Sequence, residues 1–128
     1  TGGSAHTIWG NALAGSTAAF EQLPLPARLC DIQVRIRDAA AREFTAPLYY
    51  CSPGQVNFLA PFELAPGPAE VAVVDAQGNR ATAAVNVAAL NPSIFLVDAA
   101  GTGAVIFGAG PLAGRLVNAD NPARPGDI

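Results

Sequence analysis

The sequence predicts an all-β chain, an immunoglobulin-like or IPT-like antiparallel sandwich of about seven or eight short strands. Three observations carry this expectation. Apolar and polar residues alternate with period two in several separate stretches. Turn-forming residues recur about every 8 to 12 positions, as short strands joined by tight connections require. Glycine (13) and proline (11) are frequent enough to interrupt long helices, and no segment shows a sustained 3.6-residue period.

In chain order, "HTIWGNAL" reads as the first strand, with Trp9 anchoring the core or its rim. "STAAFEQL" is the best helical candidate, a turn or two capped by Ser16 or Thr17. "DIQVRIRD" is a half-buried strand, with Ile32, Val34 and Ile36 on one face and Gln33, Arg35 and Arg37 on the other. A polar connection, Asp38 to Thr45, leads to the strand "APLYYC". Ser52-Pro53-Gly54-Gln55 then places proline at the second position and glycine at the third, the chemistry of a type II turn.

"QVNFLAP" resumes alternation, with Val56 and Phe58 inward and Gln55 and Asn57 outward. "AEVAVVD" and "RATAAVNVA" flank "AQGN" as a hairpin, setting Val71 and Val73 against Val85 and Val87. "SIFLV", "AVIFG" and "RLV" are further short strands. The domain division expected is a flexible arm over 1–7, a sandwich over 8–117 and a Pro-rich segment over 118–128.

At 128 residues and 13.0 kDa the chain is long enough to bury roughly two thirds of its unfolded surface in one domain. Its net charge is −3 and its seven basic residues are all arginines, scattered from Arg28 to Arg124, so no basic stripe for nucleic acid forms. No apolar run reaches the ~20 residues that span a bilayer, which argues against membrane insertion. Without a methionine or a signal peptide, the sequence reads as a mature or excised piece of a longer precursor.

Catalytic and cofactor patterns are thin. Gly108-Ala109-Gly110-Pro111-Leu112-Ala113 satisfies GxGxxA after a short apolar run. A dinucleotide fold needs a βαβ unit there, and the following residues contain Pro122 and Pro125, so a glycine-rich connection is the better reading. His6 is the only histidine, and neither Ser4 nor Ser52 lies in a GxSxG context. Asp120-Asn121 is too short for an EF-hand loop, and Glu63, Glu70 and Asp75 read as strand-end surface residues. No cofactor, metal set or enzyme activity is therefore expected. Tyr49, Tyr50 and Gln55, with Asn57 nearby, offer a possible glycan-binding face, against the plainer reading that the amides tie loops to the sheet.

Cys30 and Cys51 fit neither a CxxC motif nor a four-ligand zinc set. They read as a disulfide worth roughly 3 kcal/mol, as two partly buried thiols, or as a site with one reactive thiol.

Taken in order, "IWGNALA", "LPLPARLCDIQVRI", "APLYYCSPGQVNFLAPFE", "NPSIF" and "NPARPGD" resemble the Solibacter-type uncharacterised C-terminal domain of secreted acidobacterial proteins. The similarity runs over about residues 8 to 128, and Ser52, Pro53, Gly54, Gln55 and Asn57 match the family's signature turn. The resemblance implies an extracellular β module appended to larger proteins, and it carries no catalytic residues. Cys30 stands where the family has glycine and Cys51 where it has valine, a joint departure that favours a disulfide and an oxidising compartment. The family pattern also continues past "NPARPGD" into a strand and a "TGLG" segment, whereas this sequence stops at Ile128.

The function expected is a non-enzymatic structural or adhesion module of a secreted or cell-surface protein. Its partners would be neighbouring domains or other copies of itself. Alternatives are a filament subunit whose open edge takes the N-terminal arm of a neighbour, and a carbohydrate-binding module.

Overall fold

A computed structural model describes residues 1–90, 97, 103–106, 108 and 111–124. Residues 1–91 form one compact unit and 92–128 a second, so the span expected for the sandwich, 8–117, divides at that point. Among the described residues there are eight strands, all in the first unit: β1 (Ala5–Trp9), β2 (Ala18–Ala19), β3 (Gln33–Arg37), β4 (Glu43–Ala46), β5 (Leu48–Cys51), β6 (Gln55–Leu59), β7 (Gly67–Val74) and β8 (Arg80–Val87). They make two antiparallel four-stranded sheets, ordered β1-β6-β5-β2 and β4-β3-β7-β8. The all-β sandwich follows.

Alternation explains the packing. Ile32, Val34 and Ile36 from the β3 region, Leu48 and Cys51 from β5, and Val56 and Phe58 from β6 share one buried cluster with Val71 and Val73 of β7. Period two puts every second residue of each strand on the inner face. On the outer face of β3, Arg37 lies opposite Glu43 and Glu70, and Arg35 reaches Glu43 at 3.2 Å.

Four sequence expectations change. "STAAFEQL" is not a helix: Ala18 and Ala19 pair with Cys51 and Tyr50, and Phe20 N donates to Tyr49 O at 2.9 Å. An edge-strand pairing satisfies these backbone groups, and Pro24 and Pro26 would stop a helix immediately afterwards. The connection 38–45 is shorter than expected, because Glu43–Ala46 forms β4 against β3. Pro47, a single residue, then carries the chain from the second sheet into β5 of the first.

The β7–β8 hairpin has the expected turn but a different register. Val71 faces Ala83 and Val73 faces Ala81, while Val85 and Val87 face Ala69 and Gly67. Asp75 sets this register: its Oδ1 accepts from Gln77 N and Asn79 N, and Gly78 takes φ 86° within the loop. Finally, the arm expected over 1–7 is strand from Ala5 onward, and Gly3 N donates to Ala60 O at 2.7 Å.

In the second unit, "SIFLV" lies outside the described residues except Val97, as do Ala109 and Gly110 of the GxGxxA pattern. "AVIFG" and "RLV" are represented by one isolated bridge, Ile106 to Leu116, with Val117 N donating to Val105 O at 2.7 Å.

Candidate functional site

The signature turn joins β5 to β6. Ser52 N donates to Gln55 O at 2.8 Å, closing a two-residue connection. Gly54 does not take the positive φ that a type II turn demands at its third position. The Ser52 hydroxyl supplies the reason: its Oγ accepts from Gln55 N at 3.0 Å and from Gly54 N at 3.3 Å. A serine side chain thus organises the corner that glycine was expected to govern.

The carbonyls of the turn are also engaged. Leu13 N donates to Pro53 O at 2.9 Å and Gly10 N to Gly54 O at 3.2 Å. The segment after β1 is thereby fastened onto the corner, which links "IWGNAL" to "SPGQ" physically. Asn57 and Gln55 point outward as expected, and Gln55 Nε2 donates to Asn57 Oδ1 at 2.8 Å.

Cys30 and Cys51 form a disulfide with their Cα atoms 6.3 Å apart. Cys30 sits in a tight turn, where Leu29 and Ile32 exchange hydrogen bonds of 3.1 and 2.9 Å. Both central residues are left-handed, with φ 50° at Cys30 and 59° at Asp31. That is the conformation glycine adopts without strain, and here the covalent bond to β5 holds a cysteine in it. The bond runs from the segment entering the second sheet to a fully buried position in the first.

The candidate ligand residues separate. Tyr50 lies opposite Asn57 and shares its outward face, whereas Tyr49 occupies the register shift between Leu48 and Tyr50. Tyr49 is half-buried, and burial pushes its phenol up from 10.0. Trp9, expected near the core, is 73% exposed. It pairs with Gln55, while Thr7 pairs with Asn57, so Trp9, Thr7, Gln55, Asn57 and Tyr50 share one outer surface. No arginine, aspartate or glutamate occurs in the four strands of this sheet. Period-two alternation through β1, extended by one strand, was the signal that could have put Trp9 there.

Two further clusters were not legible as units. Ser4 Oγ lies 2.7 Å from His6 Nε2 and also donates to Thr1 O at 2.6 Å. Burial lowers the His6 pKa, and the nearby N-terminal charge adds to this. No carboxylate orients this ring among the described residues, and His6 instead stacks on Phe58, so the pair orders the N-terminal turn. Asp38 is the second cluster. Its carboxylate accepts from Ala40 N, Arg42 N, Arg42 Nε, Arg42 Nη2 and Ala65 N, all between 2.8 and 3.0 Å. An acid four residues before Arg42 was the available sequence signal.

Among the described residues no group of three or more His, Cys, Asp or Glu side chains is placed to hold a metal ion. No helix there is long and apolar enough to cross a membrane. No family model matches the chain, and no curated protein or solved structure matches it either.

Proposed function

We propose that the chain is a non-enzymatic structural or adhesion module of a secreted or cell-surface protein, working in an oxidising compartment. The observation that carries this reading is the Cys30–Cys51 disulfide, which staples the two sheets of a small sandwich. The polar groups described above support it, because Ser52, Asp38, Asp75 and the Ser4–His6 pair are spent on holding backbone. The resemblance to the acidobacterial C-terminal domain points the same way, toward a module flanked by other domains. Export of the protein from a host with an oxidising periplasm, followed by alkylation with and without reductant, tests it. Protection of both cysteines until reduction is expected. Two thiols that alkylate freely in the exported protein would refute the extracellular setting.

A second reading has its own observation. The uncharged outer surface carrying Trp9, Tyr50, Gln55 and Asn57 suits a neutral glycan, which stacks on aromatic faces and bonds to amides. Trp9 is the only tryptophan, so its fluorescence reports directly on that surface. A saturable spectral change with neutral hexasaccharides, lost in Trp9→Ala, is the expected outcome of this reading. No change across glucan, xylan and chitin oligomers removes it.

A further inference from the structure

Four outward side chains of the first sheet form a fixed pattern around β6. Trp9 of β1 faces Gln55, and two positions further along, on the other side of β6, Tyr50 of β5 faces Asn57. Trp9 and Tyr50 therefore mark the ends of a diagonal, with both amides between them. Strand spacing and rise put their Cα atoms about 12 Å apart. Their neighbours on this face are small. Thr7 continues the Asn57 row onto β1 and Ala19 continues it past Tyr50 onto β2, and both are exposed.

The amides are the part that selects a ligand. Gln55 Nε2 donates to Asn57 Oδ1 at 2.8 Å, which orients both side chains. That bond leaves Gln55 Oε1 as an acceptor and the Asn57 Nδ2 group as a donor. Among the described residues neither atom has a protein partner, and neither is sealed from water, since the buried unpaired side-chain atom there is Arg35 Nε. A preformed acceptor and donor between two aromatic rings match the vicinal hydroxyls of a sugar, each of which both donates and accepts.

Building on the glycan-binding reading, we propose that this diagonal is a site for three consecutive units of an extended, uncharged β-1,4-linked glycan with equatorial hydroxyls. The outer two units stack on Trp9 and Tyr50, and the hydroxyls of the middle unit meet Gln55 Oε1 and Asn57 Nδ2. Shape selects the linkage. Equatorial β-1,4 links make a flat ribbon whose alternate sugars are spaced comparably with the two rings, whereas α-1,4 links coil away from a sheet surface. Charge selects against acidic chains. No arginine lies in the four strands of this sheet, so a uronate laid on the face would lose water without gaining a partner.

Isothermal titration calorimetry of the whole chain with β-1,4-glucan oligomers, from the monosaccharide to the hexasaccharide, tests this. Affinity should rise steeply from the disaccharide to the trisaccharide and then level off. An α-1,4-glucan hexasaccharide and a galacturonate hexasaccharide should bind at least tenfold more weakly. Trp9→Ala and Tyr50→Ala should each lower affinity for the β-1,4 hexasaccharide about tenfold, whereas Tyr50→Phe keeps the ring and should retain it. Gln55→Leu should weaken binding with both rings in place. The length and linkage series needs no variant, so it decides the case even where a substitution unfolds the chain. A disaccharide that binds as tightly as the trisaccharide, equal affinity for the α-linked chain, or unchanged affinity in a folded Tyr50→Ala overturns this site while leaving a glycan-binding module in place. No binding by any oligomer overturns both.

Discussion

Asp38 holds five donors with two carboxylate oxygens, and they come from three places: its own turn, the Arg42 guanidinium and the β6–β7 connection at Ala65. Burial pushes this carboxyl up, but the amides of Ala65 and Arg42 and then the guanidinium outweigh it and hold the pKa at about 2. The sign of the linkage follows. A carboxyl depressed below its ordinary 3.8 stabilises the fold fully above that value, and the contribution is lost as pH falls toward about 2. Asp38→Asn should therefore lower the thermal midpoint at pH 7, with the difference from the parent shrinking between pH 4 and pH 2. Circular dichroism melts across that range would show it; a constant difference at all pH values would deny the charge its role. At the corner, Ser52→Ala removes the acceptor for Gly54 N and Gln55 N and should cost about 1 kcal/mol in urea unfolding.

At the level of elements, each strand needs its neighbour to be more than an extended segment. β5 is the clearest case, since its four residues touch β2, β6 and the disulfide together. Leu48, fully buried on β5, fills the space between the sheets. Leu48→Ala should cost roughly 2–5 kcal/mol through lost contact and a residual cavity, measured as the shift of the urea midpoint. The turn at Cys30 and Asp31 makes a sharper prediction. Glycine fits φ 50° without strain, and valine at 51 keeps an apolar side chain in the core. Cys30→Gly with Cys51→Val should therefore be more stable than Cys30→Ala with Cys51→Val, by about 1 kcal/mol. Equal stabilities would mean the left-handed turn carries no strain.

Over the whole molecule, the disulfide acts on the unfolded chain as much as on the folded one. It closes a separation of 21 residues, and reduction should remove roughly 3 kcal/mol in the chain-entropy view. Denaturant unfolding with and without reductant would measure this, and an unchanged midpoint would contradict it. The two outer faces differ in chemistry. The second sheet carries the charged ladder of Arg35, Arg37, Glu43, Glu70 and Arg80, whereas the strands of the first sheet carry none of these residue types. The charged face suits water, and the uncharged face is where contact with a ligand is proposed.

Alternation by itself determined that Ile32, Val34, Ile36, Val56 and Phe58 turn inward, since the period of a strand is fixed by its own backbone. Composition likewise determined the all-β class, because proline and glycine at this density leave helices no room. Only the tertiary structure decided that Ala18–Ala19 is a strand, that Pro47 switches sheets, and that Ser52 governs the corner, since each depends on a partner distant in sequence. The same holds for Trp9. Exposure is a property of what the fold leaves uncovered, and no residue carries that information in its own identity or spacing.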